Sequence, residues 1–308
     1  MKCINCKGDN FQLKFIGRDL LLDLDGNFQL FECKGCKLVT LQPKLSENDL
    51  EKYYPEEYLS FPLSINKEKK ILKKIDRQFG VAKRVKRVIQ KEKNPGKILD
   101  IGCATGIFLN EMQKKGWECF GVEPNNFAAT YGKENFKLNI VNKTFEKTKF
   151  SDSFFDVITM WDVLEHVENP DLVVRELNRI LKPGGLLVIS MPNSDSLECK
   201  IFGKYWAGWD IPRHCNIFNA KNAVSFFSIY DIYPEEISSF TGRHGVLVLS
   251  LNFYMNQKKI SKKIKKIVNL FIKSPIARGI TYPYYMIIDR LNLSSIMTLF
   301  LRRRISEK

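Results

Sequence analysis

The stretch Ile98-Leu99-Asp100-Ile101-Gly102-Cys103-Ala104-Thr105-Gly106 decides the fold of this 308-residue chain. Its continuous apolar start predicts a buried parallel strand over residues 97–101. The glycines that follow allow a tight turn, and residues 107–115 are predicted to continue as a helix. A second strand ends at Glu123-Pro124. Strand, glycine turn, helix and strand in this order predict an α/β fold with a ligand site at the carboxyl ends of its strands.

The spacing within this turn indicates what kind of ligand fits. Asp100-x-Gly102-x-x-x-Gly106 differs from G-x-G-x-x-G, in which the backbone cradles the pyrophosphate of a dinucleotide. The carboxylate of Asp100 suits a cationic amine, and Glu123 can accept hydrogen bonds from the hydroxyls of a ribose. The pattern therefore favours a ligand that carries an amine and a ribose over a dinucleotide.

Two later motifs extend the pattern. Residues 153–167, SFFDVITMWDVLEHV, predict a strand followed by a functional loop, and residues 181–189, LKPGGLLVI, predict a helix end, a turn and another strand. With the first turn they resemble class I methyltransferases that use S-adenosylmethionine (SAM), over residues 95–250. The similarity is to the subgroup with ubiquinone-pathway O-methyltransferases and many sugar or polyketide methyltransferases. It implies a Rossmann-like, seven-stranded sheet and a SAM cofactor.

The resemblance also assigns roles to residues at matching positions. The methionine end of SAM is assigned to Asp100, Gly102, Cys103 and Gly106, the ribose to Glu123 and Pro124, the adenine to Thr144 and Phe145, and the methyl side to Trp161 and Asp162. The Asp that the family usually has at the adenine position is absent, and Glu146 is found there instead. The resemblance is specific for SAM and says little about the acceptor.

The sequence has three histidines, His166, His214 and His244, and the first two are candidates for a general base. His166 follows a predicted strand at the edge where the cofactor binds, so Glu165 and His166 either act in catalysis or hold the backbone of the next loop. His214 follows Arg213 in a Trp-rich connection that is typical of loops covering a substrate site. We expect Arg213 and His214 to line the acceptor pocket, unless His214 caps the next helix.

Four of the eight cysteines form two C-x-x-C pairs, Cys3 with Cys6 and Cys33 with Cys36. Two such pairs bring four thiolates into the tetrahedral geometry that Zn²⁺ prefers, whereas disulfides need an oxidising compartment. The sequence therefore predicts a zinc ribbon over residues 1–45, with a structural metal because four thiolates leave no open position. Downstream, the YYPEEY segment at residues 53–58 resembles bacterial methyltransferases that are fused to zinc ribbons.

The formal net charge of +15 is concentrated in two segments. Residues 67–93 have a net charge of +9 and residues 258–308 have +11, so the cofactor region is not basic. We expect a basic helical linker over residues 46–94, the methyltransferase domain over 95–255 and a basic amphipathic helical tail over 256–308. The tail is predicted either to touch an anionic membrane surface, or to pack on the main domain or on a second copy in a homodimer.

The sequence shows neither a secretory signal nor a bilayer-spanning run, so we expect a cytoplasmic protein, or one held at the inner face of the membrane by its tail. The expected activity is methyl transfer from SAM to a small-molecule acceptor, first a sugar, nucleotide-sugar or lipid-linked glycan hydroxyl. A quinone-type O-methyltransferase at the membrane surface is the second interpretation. An RNA methyltransferase is disfavoured because residues 1–45 have a net charge of only +2. A non-catalytic SAM-binding protein is the remaining alternative.

Overall fold

The computed structural model of the chain describes residues 1–45, 47–55, 71–240 and 243–305, which form two sheets and a set of helices. The strands are β1 Phe11–Gly17, β2 Phe28–Cys33, β3 Val39–Gln42, β4 Lys97–Ile101, β5 Glu118–Val122, β6 Asn139–Val141, β7 Phe155–Trp161, β8 Leu181–Pro192, β9 Asn216–Ile217, β10 Ile232–Ser238 and β11 Ile296–Arg303. The helices are α1 Glu47–Glu51, α2 Ile71–Lys91, α3 Ile107–Gln113, α4 Asn126–Phe136, α5 Pro170–Ile180, α6 Leu197–Phe202, α7 Ala220–Ser228, α8 Arg243–Gln257, α9 Lys262–Ile272 and α10 Pro275–Arg290.

The larger sheet has seven strands in the order β10-β11-β8-β7-β4-β5-β6. The strands from β8 to β6 run parallel, whereas β11 is antiparallel to β8 and β10 is antiparallel to β11. Apolar clusters cover both faces, so central residues such as Leu99 and Ile158 are fully buried. This topology confirms the predicted Rossmann-like fold and places the carboxyl ends of β4, β5 and β7 along one edge.

The prediction of a helical tail over residues 256–308 is wrong for its last part. Ile296–Arg303 forms β11, which lies inside the large sheet between β8 and β10, with Leu299 opposite Ile189. Leu299 and Phe300 are fully buried. The pairing joins positions that are far apart in the chain, and periodicity within the tail does not reveal such a pairing. The methyltransferase sheet therefore continues into the predicted tail.

The region predicted as a linker over residues 46–94 contains a helix that packs on the large sheet. Residues 56–70 of that region lie outside the described residues. Val88 of α2 is fully buried in a core cluster shared with β4 and β7, and Arg87 forms an ion pair with Glu236 of β10. α2 is therefore a layer of the domain rather than a connector.

The smaller sheet joins the N-terminal segment to the connection that follows β8. Its order is β1-β2-β3-β9, and Thr40 of β3 pairs with Asn216 of β9 in antiparallel register. Side chains from both segments share one apolar core, which includes Phe28, Leu30, Leu41, Trp206, Trp209 and Ile217. The predicted ribbon is therefore built into the fold rather than appended to it.

Helices α8, α9 and α10 form an outer layer before the chain returns to the sheet as β11. The side-chain amides of Asn252 and Asn269 exchange hydrogen bonds of 2.7 and 3.0 Å between α8 and α9. Arg278 of α10 pairs with Asp76 of α2. The prediction of a basic helix in the tail agrees with α9, which contains four lysines and no acidic residue, whereas α10 contains only two arginines and one aspartate. Among the described helices, none is long and apolar enough to cross a lipid bilayer.

Candidate active site

The turn after β4 brings the backbone close to neighbouring elements. Gly102 and Gly106 have φ angles of +70° and +76°, in the left-handed region that favours glycine. A Cβ on Gly102 would lie 2.6 Å from Val163 Cγ2, and a Cβ on Gly106 would lie 2.4 Å from Leu138 Cδ1. Backbone conformation and space therefore both require glycine here, and the turn leads directly into α3.

Glu123 follows β5 and fixes this glycine turn. Its Oε2 accepts a hydrogen bond of 2.9 Å from the backbone N–H of Ala104, and its Oε1 accepts one of 2.8 Å from the N–H of Asn125. Burial raises the pKa of Glu123, and the two N–H donors oppose that rise. Each carboxylate oxygen keeps a further lone pair, so the group can also accept hydrogen bonds from ligand hydroxyls.

Asp100 is a buried carboxyl near the end of β4. Its Oδ1 accepts a hydrogen bond of 2.6 Å from Thr159 Oγ1 on β7. Burial raises the pKa of Asp100 to about 7, against the lowering effects of Thr159 and of the Arg84 charge. The carboxyl can therefore exchange a proton near neutral pH, and a cation beside it would favour the charged form.

A cation and an aromatic ring meet at the end of β7. The Arg84 guanidinium, on α2, lies 4.7 Å from the centre of the Trp161 ring, and its Nη2 lies 3.4 Å from Asp162 Oδ2. Asp162 also accepts a hydrogen bond of 3.1 Å from Ser190 Oγ. The Trp161 indole N–H is buried and has no hydrogen-bond partner among the described residues, so it is available to a ligand. The structure thus adds Arg84 to the predicted pair Trp161 and Asp162.

The other four predicted cofactor residues differ in burial: two lie in the core and two lie nearer the surface. The Cys103 thiol is buried against Gly121, where a Cβ would lie 2.7 Å from its Sγ, and Phe145 packs into the main core. These two side chains belong to the core because they are apolar and face inward, so only their backbone groups can reach a ligand. Thr144 is half-buried after β6, and Pro124 is exposed after β5.

Two histidine rings meet beyond the end of β7. His166 ends a short 3₁₀ turn and His214 lies in the connection after β8, with ring centres 4.6 Å apart and edge to face. One ring nitrogen of each histidine and one carboxylate oxygen of Glu165 lie within 4.8 Å of one another. The Tyr54 hydroxyl lies 2.9 Å from His166 Nδ1. The structure therefore brings the three predicted catalytic residues into one cluster and adds Tyr54.

Hydrogen bonding sets the tautomer of both rings. His166 Nδ1 lies 3.2 Å from the carbonyl oxygen of Arg213, and His214 Nδ1 lies 2.9 Å from that of Gly208. A carbonyl can only accept, so these two contacts are hydrogen bonds in the tautomer that carries the hydrogen on Nδ1, in which the Tyr54 hydroxyl oxygen also accepts from His166 and each Nε2 keeps its lone pair. Burial, reinforced by His214, lowers the pKa of His166 to about 3, and burial also lowers the pKa of His214. Both rings are therefore neutral at pH 7.

Glu165 is almost completely buried beside the two rings. Burial, with repulsion from Asp162, raises the pKa of Glu165 well above its ordinary value. Its Oε2 has no hydrogen-bond partner among the described residues, while its backbone carbonyl accepts a hydrogen bond of 2.7 Å from the N–H of Cys215. Glu165 therefore anchors the connection after β8, and its side-chain carboxyl group faces the cluster.

The structure corrects the predicted role of Arg213. Its side chain is fully buried, and its Nη2 lies 2.8 Å from Asp19 Oδ1 and 2.8 Å from Asp210 Oδ1. The expectation that Arg213 lines an acceptor pocket is therefore wrong, because its charge is used to join the N-terminal segment to the connection after β8. His214 does not cap the next helix either, since Asn219 caps α7.

Sequence reasoning assigned no site role to three residues of this region: Asp19, Tyr54 and Arg84. Tyr54 belongs to the YYPEEY segment, so the resemblance of that segment to ribbon-fused methyltransferases was a signal for it. Arg84 is one of many basic residues on α2, and Asp19 meets a partner 194 residues away. Local spacing does not contain that information.

The four N-terminal cysteines converge. The Sγ atoms of Cys3 and Cys36 are 3.4 Å apart, those of Cys6 and Cys33 are 3.5 Å apart, and all four lie within 4.8 Å of one another. Tetrahedral Zn²⁺ with bonds of about 2.3 Å needs thiolates about 3.8 Å apart, so this donor set fits the ion. The Asn222 side chain donates a hydrogen bond of 3.2 Å to the Cys36 carbonyl and links the cluster to α7.

A groove of about 1000 Å³ lies between the smaller sheet, the connection after β8 and the segment after α10. Its lining includes the lysines Lys14, Lys37, Lys200, Lys204 and Lys221 and the aromatic residues Phe15 and Trp209. Asn193, which follows the carboxyl end of β8, also lines it. A second cavity of about 890 Å³ lies between α2 and α3, and no predicted site residue lines it.

This fold and site define an α/β enzyme with a cofactor site on a glycine turn and neutral histidines at the same edge of the sheet. A family model described as a methyltransferase domain matches residues 73–227, which is half of the chain. The chain belongs to the SAM-dependent methyltransferase family.

Curated relatives are ubiquinone biosynthesis O-methyltransferases. The protein of Rickettsia canadensis is 30% identical over 187 residues, which cover 57% of this chain and 74% of the relative. That of Rickettsia typhi is 28% identical over 220 residues, which cover 64% of this chain and 84% of the relative. These similarities confirm the predicted likeness to the ubiquinone-pathway subgroup.

Solved structures share the fold at low identity. A chain from Galdieria sulphuraria, described as a sarcosine dimethylglycine methyltransferase, aligns with a TM-score of 0.50 and 13% identity over 79% of this chain and 91% of its own. The cyclase SpnF aligns with a TM-score of 0.50 and 15% identity over 73% of this chain and 81% of its own. At these identities the likeness shows the fold alone.

Proposed function

We propose that this methyltransferase transfers the methyl group of SAM to a hydroxyl oxygen of a small-molecule acceptor, with His166 as the general base. The observation that carries the proposal is the neutral His166 ring beyond the end of β7, where a hydrogen on Nδ1, donated to the Arg213 carbonyl, leaves the lone pair on Nε2. The names of the curated relatives also support transfer to oxygen.

Transfer of a methyl group to a hydroxyl oxygen needs few protein groups. The acceptor oxygen forms a bond to the methyl carbon, the carbon–sulfur bond breaks, and the sulfonium becomes a neutral thioether. The hydroxyl proton goes to His166 Nε2 as the new bond forms. Holding the reactants in line can supply about 7–11 kcal/mol, and the base about 10²–10⁴-fold in rate.

The residues at the strand ends fit the parts of SAM. Gly102 and Gly106 let the backbone approach the ligand, Asp100 suits the cationic amine, and Glu123 retains acceptor capacity for ribose hydroxyls. The unpartnered Trp161 N–H and the nearby Asp162 border the methyl side, and Thr144 borders the adenine side. When bound, SAM supplies the electrophilic methyl group.

We expect SAM binding to be coupled to proton release from Asp100. Since burial raises the pKa of Asp100 to about 7, the group is largely protonated at pH 6, and a cationic amine beside it must displace that proton. Affinity for SAM should therefore weaken as pH falls from 7.5 to 5.5, by up to about tenfold per unit. Calorimetric titration at several pH values measures this dependence.

The matched variants for this test are Asp100→Asn and the exposed Asp152→Asn. Asp100→Asn should bind SAM more weakly at pH 7.5 and lose the pH dependence, whereas Asp152→Asn should behave as the unchanged protein. A pH dependence that survives in Asp100→Asn would assign the proton to another group.

The groove supports an acceptor that carries an anionic part. Its lining contains five lysines and the two carboxylates Glu32 and Asp195, which pair with Lys14, Lys37 and Lys200, so the net charge of the lining is positive. A lipid-linked or nucleotide-linked sugar hydroxyl is therefore the first candidate acceptor, as the sequence suggested. The names of the curated relatives favour a second candidate, a polyprenylated catechol of the quinone type.

A panel of acceptors with methyl-labelled SAM tests the choice between these two candidates. Turnover of diphosphate-linked sugars, reduced by replacing Lys200 and Lys221 with glutamine, would support the first candidate. Turnover of a polyprenyl catechol that is insensitive to these substitutions would support the second. Methylation of RNA alone would contradict both.

We also propose that Cys3, Cys6, Cys33 and Cys36 hold one structural Zn²⁺. Purified protein should contain one zinc per chain by elemental analysis, and Cys6→Ser should lose it. Because β3 pairs with β9 and Tyr54 reaches His166, loss of the metal should also lower turnover. Cys119→Ser is the control, since Cys119 lies in a different core and should leave the zinc content unchanged.

A further inference from the structure

An exposed apolar stripe runs along helix α10 and onto Leu291, the residue that caps its C-terminal end. Ile276, Ile280, Ile287 and Leu291 have exposed fractions of 69%, 64%, 60% and 61%. Their spacings of four, seven and four residues place them on one face. The neighbouring face of the helix is packed, with Ala277, Tyr285 and Ile288 buried.

Helix α9 continues this surface. Ile264, Ile267, Leu270 and Phe271 are 52%, 67%, 78% and 54% exposed and lie within one face of the helix. The inner side of α9 is held on α8 by the Asn252–Asn269 amide pair. The apolar residues therefore point outward from a helix that is already packed, and we refer to these eight side chains as the outer apolar face.

Positive charge flanks the part of the outer apolar face that lies on α9. Residues 258–290 contain nine Lys or Arg residues and a single acidic residue, Asp289. Asp289 accepts a hydrogen bond from Ser294. Lys262, Lys263 and Lys266 are exposed on α9 beside the apolar residues. Exposed apolar side chains flanked by lysines are the pattern of helices that lie in the plane of an anionic bilayer surface.

A second copy of the chain fits this surface poorly. A twofold dimer would place the same patch against itself, so the lysines of one copy would face those of the other. A nucleic acid would match the charge but would leave the isoleucine, leucine and phenylalanine side chains against polar phosphates. An anionic lipid surface satisfies both the charge and the apolar side chains.

We propose that α9 and α10 bind peripherally to an anionic lipid bilayer through the outer apolar face and its lysines. The surface is next to the acceptor groove, because Leu291, Asn292 and Leu293 after α10 line that groove. A membrane-borne acceptor would then enter the groove directly from the lipid surface. This last step rests on the proposed function, whereas the lipid contact does not.

Cosedimentation of the full chain with vesicles tests the lipid contact without any turnover. The chain should bind vesicles of phosphatidylglycerol and phosphatidylcholine at low salt, bind pure phosphatidylcholine weakly, and dissociate as salt is raised. Each lysine near an anionic surface contributes about fivefold in affinity, so Lys262→Gln/Lys263→Gln/Lys266→Gln should weaken binding by about 100-fold. Ile267→Asp/Ile280→Asp should abolish it.

Leu172→Asp is the matched control, since Leu172 is a 58% exposed apolar residue on α5, away from this surface. It should bind vesicles as the unchanged protein does. Thermal melting of every variant should match that of the unchanged protein, since all substituted side chains are exposed. Methylation of a water-soluble acceptor should also be unchanged, which separates failure of this proposal from failure of the proposed function.

Two results would overturn the proposal. One is recovery of the unchanged chain in the supernatant with anionic vesicles at low salt. The other is a dimer in light scattering that Ile267→Asp/Ile280→Asp converts to a monomer, with no vesicle binding by either form.

Discussion

Replacement of Arg213 by alanine should lower the free energy of unfolding by about 3–5 kcal/mol, the largest stability effect expected for a single side chain here. The substitution leaves the carboxylates of Asp19 and Asp210 without the cation that compensates their burial. It also removes a link between the N-terminal segment and the connection after β8. Urea denaturation followed by tryptophan fluorescence measures the change, because Trp206 and Trp209 lie in the core that these segments share.

The control is Lys114→Ala, which removes an exposed ion pair with Glu111 and should cost only about 0.3–0.5 kcal/mol. Arg213→Lys keeps the charge but not the two-pronged hydrogen bonding, so its stability should fall between those of Arg213→Ala and the unchanged protein. Equal, small effects of Arg213→Ala and Lys114→Ala would contradict the assignment of Arg213 as a buried link.

Replacement of His166 by alanine should lower kcat by about 10²–10⁴-fold, with little change in the affinity for SAM. The substitution removes the proposed base but leaves Asp100, Glu123 and the glycine turn in place. Because burial lowers the pKa of His166 to about 3, its base form dominates at all pH values above that. At saturating SAM, kcat should therefore show no acid limb near pH 6.5. Steady-state turnover and calorimetric SAM binding provide the two measurements.

His214→Ala and His244→Ala separate the possible roles of the histidines. His244 lies on α8 and donates through Nε2 to the Ile272 carbonyl, so His244→Ala should keep kcat within about twofold. His214 touches the His166 ring, so His214→Ala should lower kcat less than His166→Ala does. Normal turnover in His166→Ala with tight SAM binding would show that the enzyme needs no base at this position.

The glycine turn after β4 and the acidic residue after β5 were predictable from the sequence because the residues that form them are close together in the chain. Asp100, Gly102 and Gly106 lie within seven residues of one another, and Glu123 closes the next strand. Sequence patterns of this length predict the strand and the turn correctly, because the position of each side chain depends on the strand or turn to which it belongs. The assignment of His166 to the same edge follows from the parallel order of the strands.

The errors concern pairings between distant parts of the chain. β11 enters the large sheet, and Arg213 turns inward because Asp19 comes from a segment almost two hundred residues earlier. The motif assigns Cys103 and Phe145 to the cofactor, but their side chains fill the core. Short-range patterns give no information on which face of a loop becomes buried.

The N-terminal segment packs against the cluster of His166 and His214 rather than forming a separate module. Tyr54 contacts His166, β3 pairs with β9, and Asp19 neutralises Arg213. Removal of the cysteine cluster should therefore affect catalysis as well as folding. This coupling gives a physical reason for the presence of a cysteine cluster in a methyltransferase.

The most direct measurement incubates the purified protein with methyl-labelled SAM and a cell extract, then identifies the labelled atom. The account predicts label on an oxygen of a small molecule, with one S-adenosylhomocysteine formed per methyl group transferred. It also predicts that His166→Ala forms the same product at least 100-fold more slowly. Label on a carbon or on RNA, or SAM binding with no labelled small-molecule product, would contradict it.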